Sequence, residues 1–140
     1  MTPWVAFAFL AMIFAGFTSV IAKRGFHGIS GDLGLMVRTC FVFVLVLFYA
    51  AIFIPKEQFG ALKRHNYLWL GVSGLTTSLS WIFYYKALKA GEVSTVALID
   101  KGSFVVAVAL AWAILGESIT PRILAGSALI LAGLLIVARK

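Results

Sequence analysis

The sequence predicts an all-α membrane protein with five transmembrane helices. The chain has 140 residues, of which 62% are hydrophobic and only 12% are charged. Its mean hydropathy of +1.04 is far above that of soluble domains of this length. The apolar residues form five blocks, each close to the roughly 20 residues that a helix needs to cross a bilayer core of about 30 Å. The predicted spans are 3–22, 34–54, 67–85, 93–115 and 121–137, in a single membrane domain of residues 1–140.

The ends of these spans carry recognisable stop and start signals. Lys23 and Arg24 directly follow the first block, which lacks a basic leader, so we interpret it as a retained span and not a signal peptide. Pro55 stops the second span, and a long loop is expected from there to Asn66. Residues 86–92 are predicted as a short turn, and Pro121 opens the fifth span at a favoured position.

The third span differs from the others because it carries a polar stripe. Ser73, Thr77, Ser80 and Tyr84 follow helical spacing and lie on one face. Two interpretations stay open: hydroxyls that bond the carbonyl one turn back and pack against a neighbouring helix, or a wall of a solute pathway. Its last turns carry aromatic residues that fit an interfacial belt: Trp81, Tyr84 and Tyr85.

The fourth span contains two charged residues, Asp100 and Lys101. An ionisable side chain at such depth costs a few kcal/mol, so it usually faces protein or a watery cavity. Successive residues of a helix are about 100° apart, so the two are not expected to share a face. Asp100 is the expected inward group, whereas Lys101 is long enough to reach the nearer interface.

Arg38, one turn inside the second span, is predicted to lie in the same half of the membrane as Asp100 and Lys101. It has two interpretations: a cation that extends to the interface, or a member of a polar vestibule. Within such a vestibule, Asp100 either neutralises Arg38 or Lys101 and fixes packing, or helps to bind a solute. The surplus of positive charge would then favour an anionic or zwitterionic solute.

The basic residues give a weak prediction of orientation. One side of the membrane would hold six of them: Lys23, Arg24, Lys86, Lys89, Arg139 and Lys140. The other side would hold four: Lys56, Lys63, Arg64 and Arg122. The positive-inside rule therefore favours an N-terminus outside and a cytoplasmic C-terminus, in a multi-pass protein of the cell membrane. The bias is small enough to permit insertion in both orientations.

Several classes of function lack support in the residues. The twelve Lys and Arg residues occur in short clusters between apolar blocks and not in a stripe, so no nucleic-acid partner is expected. No nucleophile has a base at a recognisable spacing, and no glycine loop suits a phosphate, so no catalytic residue is predicted. His27, His65 and the lone Cys40 have no partners at metal-ligand spacing. No metal and no cofactor are expected.

Three segments together resemble a known family. The first joins an aromatic helix end to an alanine and glycine turn: Ser80, Trp81, Tyr84, Tyr85, Ala87, Leu88 and Gly91. The second, residues 111–121, closes a helix with Gly116 and Glu117. The third is a last-helix pattern: Gly126, Leu129, Ile130 and Gly133. In order and spacing they resemble the EamA-type transporters of the drug/metabolite transporter superfamily, with span count and order matching over essentially the whole chain.

The resemblance implies a function and an assembly. Typical members have ten spans built from two inverted units, so this chain is similar to one half of an inverted-repeat transporter. A half-size member implies a homodimer, or a heterodimer with a related half-size chain, that moves a small-molecule solute across the lipid bilayer by alternating access. Gly126 and Gly133, seven residues apart on one face, are the expected dimer contact. The alternatives are a non-transporting accessory subunit and a component of a lipid flippase.

One feature of related proteins is missing. Small multidrug resistance relatives bind protons and cations through a glutamate in their first helix, and residues 3–22 contain no acidic residue. Exchange of cations for protons by that route is therefore not expected. The predicted substrate pathway consists of Asp100, Arg38, Lys101, Ser73, Thr77, Ser80, Trp81 and Tyr84.

Overall fold

The structure is a computed structural model that describes residues 3–138. Within that range the regular structure is helical and contains no β-strand. The helices are α1 (Pro3–Gly25), α2 (Gly31–Phe53), a 3₁₀ helix (Lys56–Ala61), α3 (Arg64–Ala90), α4 (Val93–Asp100), α5 (Ser103–Leu115) and α6 (Pro121–Ala138). Arg139 and Lys140, two of the six charges used to predict the orientation, lie outside the described residues.

Four helical segments are long and apolar enough to cross a membrane: Pro3–Gly25, Gly31–Phe53, Val93–Leu115 and Pro121–Ala138. They correspond to the predicted first, second, fourth and fifth spans and confirm an all-α membrane protein. The predicted third span lies within α3 but is not among the four, since hydroxyl side chains and basic ends dilute its apolar residues. A count of five spans therefore stays a prediction.

Two of the predicted connections are wrong in part. The stretch from Pro55 to Asn66 is not a continuous loop, because it contains the 3₁₀ helix and the first turn of α3. The predicted turn after Tyr85 is helical up to Ala90. This last turn is stable because Tyr85 and Leu88 are buried there, at 2% and 0% exposure.

The helix ends follow standard capping chemistry. The Ser30 hydroxyl accepts a hydrogen bond from the Leu33 amide at 3.1 Å and so caps the start of α2. Gly116 ends α5 with φ of +68°, a left-handed conformation that glycine adopts without a steric penalty. The amides of Gly116 and Glu117 both donate to the Ala111 carbonyl and so close the end of α5.

The predicted fourth span is interrupted between α4 and α5. The amide of Lys101 donates to Leu98 at 3.1 Å and that of Gly102 to Ile99 at 2.9 Å, which are bonds to the third preceding residue and not the fourth. A Cβ atom on Gly102 would lie 3.0 Å from the Ile99 oxygen and 3.5 Å from a Leu134 methyl group of α6. The glycine thus relieves crowding in the tight turn, whereas a Cβ atom there would make only ordinary van der Waals contact with α6.

The chain divides into two compact units, which we describe separately. The α2–α3 unit is Ala22–Lys89, and the α4–α6 unit combines the part of α1 up to Ile21 with the chain from Ala90 onward. In the α2–α3 unit, the buried core contains Phe26 and Tyr85, whose rings meet edge to face with centres 5.1 Å apart. Most other large apolar side chains of the described residues are exposed, as expected for helices that face lipid.

Two lysines of the α2–α3 unit join the C-terminal ends of α1 and α3. Lys23 Nζ donates to the Leu88 carbonyl at 2.6 Å and to the Lys89 carbonyl at 3.2 Å. Lys89 Nζ in turn donates to the Phe26 carbonyl, just beyond α1, at 2.9 Å. Each ammonium group therefore satisfies carbonyls at the negative end of the other helix. These lysines, expected only as membrane-flanking charges, also hold the helix ends together.

Candidate functional site

The candidate site is built around Arg38 on α2, in the α2–α3 unit. Its guanidinium carbon lies 4.4 Å from the ring centre of Trp81 and 5.6 Å from that of Tyr85, both on α3. An arginine over aromatic faces gains cation–π attraction, most of all where water is excluded. The side chains of Arg38 and Trp81 are half-buried, so the cation is held against α3 and does not extend freely away from the helix.

Two polar atoms of this site are buried without a hydrogen-bond partner in the described chain: Nη1 of Arg38 and the hydroxyl of Tyr85. A buried donor without an acceptor costs about 1–3 kcal/mol, and more where it is charged. Within residues 22–89 no carboxylate forms an ion pair with Arg38, since the pair found there joins Lys86 and Asp32 at 4.0 Å. The positive charge of Arg38 therefore lies against two aromatic rings and has no counter-ion among the described residues of this unit.

An apolar groove of about 460 Å³ between α2 and α3 adjoins this cation. It is lined by Leu35, Met36, Thr39, Cys40, Phe43, Ser78, Trp81 and Ile82. Its two hydroxyl groups are already bonded within their own helices, that of Thr39 to the Leu35 carbonyl at 2.8 Å and that of Ser78 to the Gly74 carbonyl at 2.9 Å. The groove therefore offers apolar surface and little demand for hydrogen bonds.

The polar stripe of α3 is exposed from Ser73 to Ser80, while Tyr84 is half-buried. The Thr77 hydroxyl donates to the Ser73 carbonyl at 2.8 Å, as the packing interpretation expects. The Tyr84 ring lies 6.1 Å from that of Tyr85. The stripe is thus continuous with the aromatic end of α3, and its role as a pathway wall stays a prediction.

Asp100 and Lys101 differ from their prediction. Although the two are not expected to share a helix face, Lys101 Nζ lies 3.8 Å from a carboxylate oxygen of Asp100. The interruption of the helix does not explain this pair, because successive side chains of a 3₁₀-type turn are about 120° apart. The Lys101 side chain is instead long and flexible enough for its ammonium group to reach back to the neighbouring carboxylate. Asp100 keeps the more buried position, with its side chain 38% exposed against 57% for Lys101.

The predicted site residues fall into two groups. Those brought together in the α2–α3 unit are Arg38 and Trp81, with Tyr84 and the hydroxyl stripe on the same helix as Trp81. Asp100 and Lys101 belong to the α4–α6 unit. The vestibule that combines both groups therefore stays a prediction.

Gly126 and Gly133, the predicted dimer contact, lie on α6. A Cβ atom at either position would meet nothing within 4 Å in the described chain. This face of α6 is therefore open to the close approach of another helix.

Tyr85 is the site residue that sequence reasoning missed. It was assigned to an interfacial belt, yet it is 2% exposed and lies beside Arg38. A signal was present: Trp81 and Tyr85 are four residues apart, so they share the helix face on which Arg38 rests. The polar stripe, which emphasises Tyr84, directed attention to a different face.

The comparisons with known proteins agree over almost the entire chain. The model of the EamA-like transporter family matches residues 2–139. A curated relative from a Sinorhizobium species, described as an uncharacterized transporter in the cobO 3′ region, is 33% identical over 135 residues, which cover 96% of each chain. No solved structure matches the chain.

Proposed function

The chain belongs to the EamA-like transporter family, and from this premise we propose that it is a secondary transporter of a small metabolite that works as a dimer by alternating access. Its family and its apolar helices indicate a multi-pass membrane protein. The family and the relative described as a transporter support transport as its function and not enzymatic catalysis. The site around Arg38 carries the proposal. It holds the cation Arg38 on a helical segment apolar enough to span a membrane, and two of its buried polar atoms have no hydrogen-bond partner among the described residues.

The proposed architecture has five spans, with α3 as the third, so that the chain forms one half of an inverted-repeat transporter. Secondary transporters commonly place the solute site at the interface of two such repeats. The nearly balanced basic residues of the two predicted sides would permit subunits of opposite orientation. The open face of α6 at Gly126 and Gly133 supports a dimer contact there. The preferred single orientation keeps the N-terminus outside the cell membrane and the C-terminus in the cytoplasm.

The proposed pathway combines Arg38, Trp81, Tyr84 and the hydroxyl stripe of α3 with Asp100 and Lys101. The surplus of cations favours an anionic or zwitterionic solute. The accessory-subunit and lipid-flippase alternatives have weaker support, since the family and the relative are both described as transporters.

The test is a flux assay on the chain reconstituted alone in liposomes. Panels of anionic, zwitterionic and cationic solutes are first ranked by the increase that each gives in thermal stability, because a ligand of the folded state stabilises it by mass action. Uptake of the best solute is then compared between the unaltered chain and Arg38→Gln. We expect Arg38→Gln to lose at least about tenfold in flux, as removal of a charged hydrogen-bond donor should.

Arg64→Gln is the matched control, because Arg64 is an exposed arginine at the start of α3. Flux that is absent for every solute in the chain alone, but restored by a related half-size chain, would overturn the homodimer and favour a heterodimer. Equal flux in Arg38→Gln and Arg64→Gln would remove Arg38 from the pathway.

A further inference from the structure

We propose that the α2–α3 unit binds an amphipathic monocarboxylate, with its carboxylate at Arg38 and Tyr85 and its apolar tail in the adjoining groove. The inference rests on the proposed function, because it names the class of solute for the same site. The inference goes beyond the proposed function because it assigns separate places to the head and the tail of that solute.

The chemical type of the ligand's head group is inferred from the two buried donors that lack hydrogen-bond partners in the described residues. Nη1 of Arg38 can only donate, and the Tyr85 hydroxyl can also donate, so one group with two acceptor oxygens would satisfy both. Arg38 has no carboxylate partner among the described residues of its own unit, so a negative group would complement its charge as well as its hydrogen bonds. A guanidinium group suits a carboxylate because its planar set of donors matches the two oxygens.

The polarity and size of the ligand's tail are inferred from the lining and volume of the groove. Its volume of about 460 Å³ lies within the range of small-molecule sites. The hydroxyl groups of Thr39 and Ser78 are bonded to their own helices, so a polar tail would find few partners there. A groove of this size accommodates a single short chain or one aromatic ring, and not the two long acyl chains of a phospholipid. We therefore infer a free solute as its occupant.

Trp81 connects the two places. Its ring lines the groove and also lies 4.4 Å from the guanidinium carbon of Arg38. A ligand that packs its tail against Trp81 consequently places its head within reach of the cation. Both unpaired donors are shielded in the present conformation, so the carboxylate reaches them only when the surrounding helices separate, as alternating access requires.

The experiment measures equilibrium binding of radiolabelled 3-phenylpropionate to the purified chain in phosphatidylcholine nanodiscs. Two competitors separate head from tail: 3-phenylpropanol has the same tail without charge, and acetate has the charge without the tail. We expect both to compete at least about tenfold more weakly than unlabelled 3-phenylpropionate, since each lacks one of the two interactions. Equal competition by the alcohol would overturn the head assignment, and equal competition by acetate would overturn the tail assignment.

The variants test the two donors individually. Arg38→Gln should weaken binding by about 10- to 100-fold and Tyr85→Phe by about 3- to 10-fold, as expected for charged and neutral hydrogen bonds. Tyr49→Phe is the matched control, because Tyr49 is an exposed tyrosine of α2. If Arg38→Gln does not yield folded protein, Arg38→Lys, which keeps the charge but not the planar donors, should still weaken binding about tenfold. Binding unchanged in Tyr85→Phe and in the Arg38 variant would overturn the proposal.

A second set of nanodiscs contains phosphatidylglycerol. If 3-phenylpropionate binds in the phosphatidylcholine nanodiscs but not in those with phosphatidylglycerol, the anionic lipid headgroup occupies the site. That result would overturn the inference of a free solute. Because binding is measured without transport, the two proposals fail separately. Flux of another class of solute without carboxylate binding overturns only the present inference, whereas carboxylate binding without any flux overturns only the proposed transport.

Discussion

The substitution Gly31→Ala tests the packing that positions Tyr85 for the candidate site. Gly31 is the first residue of α2 and is buried against the last turns of α3. A Cβ atom there would lie 2.8 Å from the carbonyl oxygen of Tyr85 and 3.3 Å from Cβ of Lys89. Ordinary van der Waals contacts of a Cβ atom begin at 3.4 Å, so the Tyr85 carbonyl and the backbone of α3 would have to retreat by roughly 0.6 Å. A backbone atom cannot turn aside as a flexible side chain does.

Overpacking of this kind typically costs about 1–3 kcal/mol. At about 4 °C per kcal/mol for a chain of this size, we expect the apparent Tm of the purified protein to fall by about 4–12 °C. Thermal unfolding in one fixed detergent, followed by circular dichroism, measures the change. Gly71→Ala is the control, since a Cβ atom on this glycine of α3 meets nothing within 4 Å. Its Tm should stay the same or rise slightly, because alanine favours a helix. A Tm for Gly31→Ala equal to that of Gly71→Ala would refute the close contact between α2 and α3.

Two further predictions concern the α4–α6 unit. Replacement of both Gly126 and Gly133 by leucine should abolish the proposed dimer in a crosslinking assay in detergent, because bulky side chains prevent close helix approach. A persistent dimer would reject this interface. Asp100→Asn should lower flux at least about tenfold with an unchanged yield of folded protein, because it removes an intramembrane charge but keeps the shape of the side chain. Unchanged flux with unchanged yield would exclude Asp100 from the pathway.

Much of the fold could be predicted because apolar blocks and the residues that start or stop helices are local features of the sequence. Pro55 and Pro121 mark helix boundaries by the geometry of their own rings, and the apolar blocks between such signals are long enough to identify four spans. The extension of α3 to Ala90 depends instead on burial of Leu88 and on the bonds of Lys23 and Lys89, residues 66 positions apart. Such long-range contacts leave no periodic signal in a single sequence.

The candidate site could be predicted only in part, for a related reason. The rarity of charge in an apolar span drew attention to Arg38 and to Asp100 without any structure. Which charges have partners depends on side-chain conformations that periodicity does not reveal. The rule of 100° per residue separates the directions in which Asp100 and Lys101 leave the helix, but the flexible Lys101 side chain still brings its ammonium group within 3.8 Å of the neighbouring carboxylate. Tyr85 was missed because its burial follows from Gly31 and Phe26, which lie in another part of the chain.

Arg38 and Lys101, two cations within candidate spans, differ in a way that bears on where a ligand binds. Lys101 has a carboxylate 3.8 Å away on the adjacent residue, so its charge is compensated within its own unit. Arg38 rests on Trp81 and Tyr85, and aromatic faces attract a cation but do not neutralise it or accept all of its hydrogen bonds. A charge that is held in place and has no counter-ion among the described residues of its own unit is the stronger candidate for recognising an anion. This reasoning moves the centre of the candidate site from Asp100 to Arg38.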